Sequence, residues 1–100
     1  MVTVKNRFQK VLFRVKQDRV LNQSGKLLAT VGENSLINES GEEIVKIDGT
    51  NVISIENGDI LATQSGSEVK DPEGSTIGYV DGKPFSHFPY GAAALVMFAY

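Results

Sequence analysis

Cysteine is absent from this chain of 100 residues, tryptophan is absent too, and there are only one histidine and three prolines. Without thiols there is no disulfide staple, no thiolate metal site and no cysteine nucleophile, which is the pattern expected of a cytoplasmic protein. A lone histidine leaves a zinc site short of ligands. The chain also lacks a long apolar run. Its longest, Ala92 to Tyr100, is far below the ~20 residues of a spanning helix. Lys5, Arg7, Lys10 and Arg14 interrupt the first 19 residues, where a secretory signal would be apolar. Neither a GxGxxG fingerprint nor a phosphate-cradling GxxxxGK loop occurs, so no cofactor is expected.

Glycine is what the chain has, ten of them, and four lead near-copies of one pattern: GKLLATVG from Gly25, GEEIVKIDG from Gly41, GDILATQSG from Gly58 and GSTIGYVDG from Gly74. The leading glycines lie 16, 17 and 16 residues apart. Three positions after each comes Leu28, Ile44, Leu61 or Ile77, then Ala29, Val45, Ala62 or Gly78, and two further on Val31, Ile47, Gln64 or Val80. Five positions before each stands Val20, Leu36, Ile53 or Val69. Two short strands and two turns fit this spacing, and a helix of ordinary length does not. Ser24-Gly25, Ser40-Gly41, Asn57-Gly58 and Glu73-Gly74 supply the first bend; Asp48-Gly49, Ser65-Gly66 and Asp81-Gly82 supply the second.

Strict alternation would put the small fourth position and the apolar sixth on one face, and the aliphatic third position on the other. A column of Ala29, Val45, Ala62 and Gly78 suits a line on which copies converge. The third position then needs cover from the two non-repeating ends. A hairpin of this length is not stable alone, so the copies share a core; closure into a ring, which removes the sheet edges, is expected over an open stack.

The unit Gly-x-x-Ile/Leu-Gly/Ala-x-Val/Ile-x-Gly, clearest in GSTIGYVDG and GKLLATVG, resembles the bacterial four-fold β-flower domains over residues 20 to 83. Two copies depart from it, at Val45 and Gln64. The resemblance implies an architecture, an all-β closed pseudo-four-fold assembly of short hairpins, and it transfers no catalytic or binding residue.

The expected organisation is one domain over residues 1–100: basic N-terminal strands over 1–19, four hairpins over 20–83, and a Pro-containing loop with a short apolar C-terminal helix over 84–100. Pro84 and Pro89 are expected to keep Phe85 to Tyr90 irregular, with the helix over Ala92 to Tyr100. Apolar all round, that helix should be buried, as a plug on the assembly or as an interface with a second copy or a bilayer. Residues 1–19 carry six Lys or Arg against Asp18, and the remainder four Lys against eleven acids, so the parts are +5 and −7. This charge can neutralise itself internally or serve an anionic partner. Nucleic acid is not expected, since little basic and aromatic interleaving accompanies it.

Chemistry is sparse. Ser86, His87 and Asp81 can be written as a triad, but no nucleophile-elbow motif supports it. The turn acids Asp48, Asp59, Asp71, Glu73 and Asp81 match no calcium loop, though they could cluster at one rim. Gln64, the polar member of an otherwise apolar column, belongs at a wet mouth or bonds something inside. The ligand or interface candidates are Gln64, His87, Phe85, Phe88, Leu95 and Phe98. The leading expectation is a non-enzymatic structural or interaction module, self-associating as a homo-oligomer. A membrane-surface or anionic-ligand binder and a small hydrolase are the alternatives.

Overall fold

The computed structural model describes residues 1–99; Tyr100, the end of the expected helix, lies outside them. Among the described residues the chain forms ten strands: β1 (Val2–Asn6), β2 (Val11–Lys16), β3 (Arg19–Asn22), β4 (Leu27–Gly32), β5 (Ser35–Ile37), β6 (Glu43–Asp48), β7 (Asn51–Ile53), β8 (Ile60–Ser65), β9 (Glu68–Lys70) and β10 (Thr76–Gly82). Each pairs antiparallel with its neighbours in sequence, and β10 pairs with β1, Val80 opposite Val4, to close a barrel. Closure leaves no free sheet edge. A 3₁₀ turn over Phe85–His87 leads into α1 (Phe88–Ala99).

Two kinds of connection alternate around the ring. At one end two-residue turns join β2 to β3, β4 to β5, β6 to β7 and β8 to β9, and each holds one residue at positive φ: Gln17, Asn34, Gly49 and Gly66. At the other end lie wider turns over Asn6–Lys10, Asn22–Lys26, Asn38–Glu42, Ser54–Asp59 and Asp71–Ser75. In each, the first residue donates its N–H to the last carbonyl, and the penultimate N–H returns to the first carbonyl. Asn6, Asn22, Asn38 and Asp71 add a side-chain Oδ1 that accepts two further N–H groups within the turn. Short polar side chains favour turns for this reason.

The four glycine-led copies are thus four of five equivalent units. The first unit is the N-terminal segment, with Gln9 at φ 69° where the others have Gly25, Gly41, Gly58 and Gly74. The inward columns share its spacing: Val4, Val20, Leu36, Val52 and Val69; Phe13, Ala29, Val45, Ala62 and Gly78; Val15, Val31, Ile47, Gln64 and Val80. Val52, not the expected Ile53, belongs to the first column. The fourth wide turn is one residue longer, Gly58 N–H reaching Ser54 O, so counting five back from Gly58 falls one residue short.

Strict alternation fails at the third position, and the reason is a β-bulge. Val4 pairs with Phe13 but Lys5 pairs with Val11, leaving Leu12 extra; Leu28, Ile44, Leu61 and Ile77 are extra in the same way. A bulge breaks the period of two and re-aims the side chain. All five aliphatics therefore pack with the core from within their own strands, without the separate cover that alternation demanded.

The core surrounds α1. Ala92, Ala93 and Ala94 are consecutive and fully buried, which a helix reaches only when enclosed on all sides. The helix touches β1, β2, β5 to β8 and β10, and runs through the barrel from the tight-turn end to the wide-turn end. Gly91 lies against Val2, Val4 and Val80, and Gly78 admits Leu95. The helix starts at Phe88, earlier than expected, because a proline in the first helical turn, here Pro89, sacrifices no intrahelical hydrogen bond. Phe85–His87, expected to be irregular, is one 3₁₀ turn.

Candidate functional site

At the tight-turn end, two cavities flank the start of α1. One, of about 510 Å³, is lined by Gln64, Val80, Asp81, Phe85 and Phe88 with the β8–β9 turn. Gln64 donates from Nε2 to the Gly66 carbonyl at 2.6 Å, so the polar member of the third column sits at a mouth of the barrel, its amide tied to the adjacent turn. Phe85 stands 71% exposed with its ring edge-on to Phe88, centroids 5.3 Å apart.

The second cavity, about 370 Å³, is lined by Val31, Asn34, Ile47, Ser86, His87 and Tyr90 among others. Tyr90 Oη accepts the Asn34 N–H and donates to the Gly32 carbonyl, both at 3.0 Å, which clamps the β4–β5 turn to the helix. His87 stacks edge-on to Tyr90, and its Nδ1 is buried without a hydrogen-bond partner. Asp81 is elsewhere: it lines the first cavity and pairs with Lys5 Nζ at 2.9 Å. Ser86 and His87 thus share a cavity from which the acid is missing.

The turn acids do not gather at one rim. Asp48 and Asp81 lie toward the tight-turn end, whereas Asp59, Asp71 and Glu73 lie on wide turns. Asp71 uses its carboxylate as the turn acceptor. Among the described residues no three His, Asp or Glu side chains converge as a metal site.

Of the sequence candidates, Gln64, Phe85 and Phe88 come together at one cavity and His87 falls in the next. Leu95 is deep in the core, and Phe98 emerges at the opposite end with its ring edge-on to Phe13, centroids 6.1 Å apart. That opposite end holds a feature of which the candidates included only Phe98. Six large apolar side chains are exposed at the wide-turn end: Phe8, Leu27, Ile55, Ile60, Met97 and Phe98. Phe8 and Ile55 lie inside turns otherwise made of polar and charged residues, and an apolar residue at a turn tip was the signal available for them. The guanidinium of Arg7 lies 4.8 Å over the Phe8 ring.

The charges of the wide turns are segregated. The first two carry Arg7, Lys10 and Lys26, and the next three carry Glu39, Glu42, Glu56, Asp59, Asp71 and Glu73. Since the turns follow one another around the ring in chain order, this end has a basic arc and an acidic arc.

No family model, curated protein or solved structure matches this chain. Among the described residues no helix is long and apolar enough to cross a membrane.

Proposed function

We propose that the protein is a non-enzymatic interaction module that associates with itself through the wide-turn end of its barrel. The observation that carries this reading is the set of Phe8, Leu27, Ile55, Ile60, Met97 and Phe98 exposed at one end, against Met1 and Phe85 at the other. Single exposed apolar residues are ordinary, whereas a group at one end marks a docking surface. The membrane-surface alternative is disfavoured by the rim of that same end, where six carboxylates outnumber three cations and would repel an anionic headgroup layer. The hydrolase alternative is disfavoured by the separation of Asp81 from His87 and Ser86.

The likeness to the β-flower domains belongs to the same proposal. Four glycine-led hairpins of one sheet support it, and the fifth hairpin of the closed barrel departs from a four-fold pattern.

Sedimentation velocity over a range of concentrations tests the reading. The wild-type protein is expected to associate, and a variant carrying Phe8→Ser, Ile55→Ser and Ile60→Ser is expected to sediment as a monomer with its far-UV circular dichroism unchanged. A wild-type protein that stays monomeric at several hundred micromolar overturns it.

A further inference from the structure

We propose that the assembly is a closed two-fold dimer in which the wide-turn ends of two copies meet face to face, each basic arc lying over the other copy's acidic arc. The inference rests on the self-association just proposed and adds the partner's orientation. A two-fold interface brings one surface against itself, so it needs a surface that is self-complementary.

The wide-turn end meets that condition through the order of its turns. Arg7, Lys10 and Lys26 occupy two adjacent turns, and the six acids occupy the other three, so a single line divides the end into a positive part and a negative part. A two-fold axis along that line turns the basic arc of one copy onto the acidic arc of the other. Any rotation that lays like upon like places carboxylate on carboxylate, which charge repulsion disfavours. Phe8 and Ile55 stand on the same turns as these charges, and the helix end with Met97 and Phe98 emerges at the same end, so apolar and charged groups share the surface as they do in protein interfaces.

The side chains that carry the charge are free to do so. Arg7, Lys10, Lys26, Glu39, Glu42 and Glu56 are all exposed. Among the described residues none of their charged groups enters a hydrogen bond or ion pair within the chain, and the one charge-dependent contact, Arg7 over the Phe8 ring, lies within a single exposed turn.

Complementary charge reversal is the test, read by sedimentation velocity, with circular dichroism confirming that each variant is folded. One variant carries Arg7→Glu, Lys10→Glu and Lys26→Glu; the other carries Glu39→Lys, Glu42→Lys and Glu56→Lys. Each alone is expected to dissociate at concentrations where the wild-type protein is dimeric, its Kd raised at least tenfold. Mixed one to one, the two are expected to recover a dimer containing one of each. A variant that keeps the wild-type dimer, or a mixture that stays monomeric, overturns the face-to-face orientation while leaving self-association standing. A wild-type monomer overturns both. Sedimentation of the wild-type protein with phosphatidylserine vesicles would overturn the choice of a second copy as occupant.

Discussion

Gly78 and Gly91 carry the closest approach between helix and barrel, but they tolerate a methyl group very differently. A Cβ on Gly78 would collide with Leu95 Cδ2 and, from the other side, with the backbone carbonyl of Lys5. The leucine can turn away, but the carbonyl is fixed in the β1–β10 ladder. A Cβ on Gly91 meets side chains alone, Val80 at 2.9 Å, Val4 at 3.0 Å and Val2 at 3.6 Å, of which the first two must give by a few tenths of an ångström. It also replaces a helical glycine, and alanine favours the helix by about 1 kcal/mol. Gly78→Ala is therefore expected to cost about 2 to 4 kcal/mol in urea unfolding, and Gly91→Ala within about 1 kcal/mol of zero. Equal costs for the two would show that the helix does not seat on β10 as described. Gln9 shows the same scale from another side. It takes φ 69° at the place where glycine stands in the other units, and so the first unit lacks the letter that marks the other four.

Each strand pair is held to α1 by packing, and the β4–β5 pair also by the Tyr90 hydroxyl, which takes one N–H and supplies one O–H to a single turn. Tyr90→Phe removes both bonds while keeping the ring. It is expected to cost about 1 to 2 kcal/mol, with amide exchange quickening at Asn34 before other turns. An unchanged Asn34 exchange rate would mean that the turn stands without the clamp. How much of these elements could be read from the sequence depended on which signal each used. The wide turns of units two to five were legible because glycine is the residue that takes positive φ at least steric cost. The fifth hairpin was not, because Gln9 fills that position and β1 pairs with β10 from the far end of the chain. The bulges were illegible for a different reason. An extra residue leaves the composition of a strand unchanged and appears only in pairing register, so Leu28 and its equivalents read as facing outward. Of the candidate site, the mouth residue Gln64 was visible as a polar break in an apolar column, and Phe85 as an aromatic between Pro84 and Pro89. Apart from Phe98, the wide-turn end was not, since its apolar members come from separate turns, strand starts and the helix end, which only the closed ring brings together.

Five hairpins closed into a ring enclose a space that their own small and medium side chains do not fill, and α1 occupies it. Ala29, Ala62 and Gly78 leave room along the inner wall where a larger column would meet across the axis. The helix is therefore part of the core, and its removal is a test of the whole architecture. Phe88 and Leu95 bury roughly 2 to 3 kcal/mol each and the three alanine methyls roughly 0.8 kcal/mol each, about 7 kcal/mol together. That is comparable to the ~5 to 15 kcal/mol by which a domain of this size is stable. A chain ending at Lys83 keeps all ten strands but exposes Val2, Val4, Val45 and Val80 to an empty or wet interior. It is expected to lose its cooperative thermal transition and to bind the dye ANS, as a barrel without fixed packing does. Adding residues 84–100 as a separate peptide should restore the transition. A truncated chain that melts cooperatively within a few degrees of the full-length protein would show that the barrel is self-sufficient and that the helix is cargo rather than core.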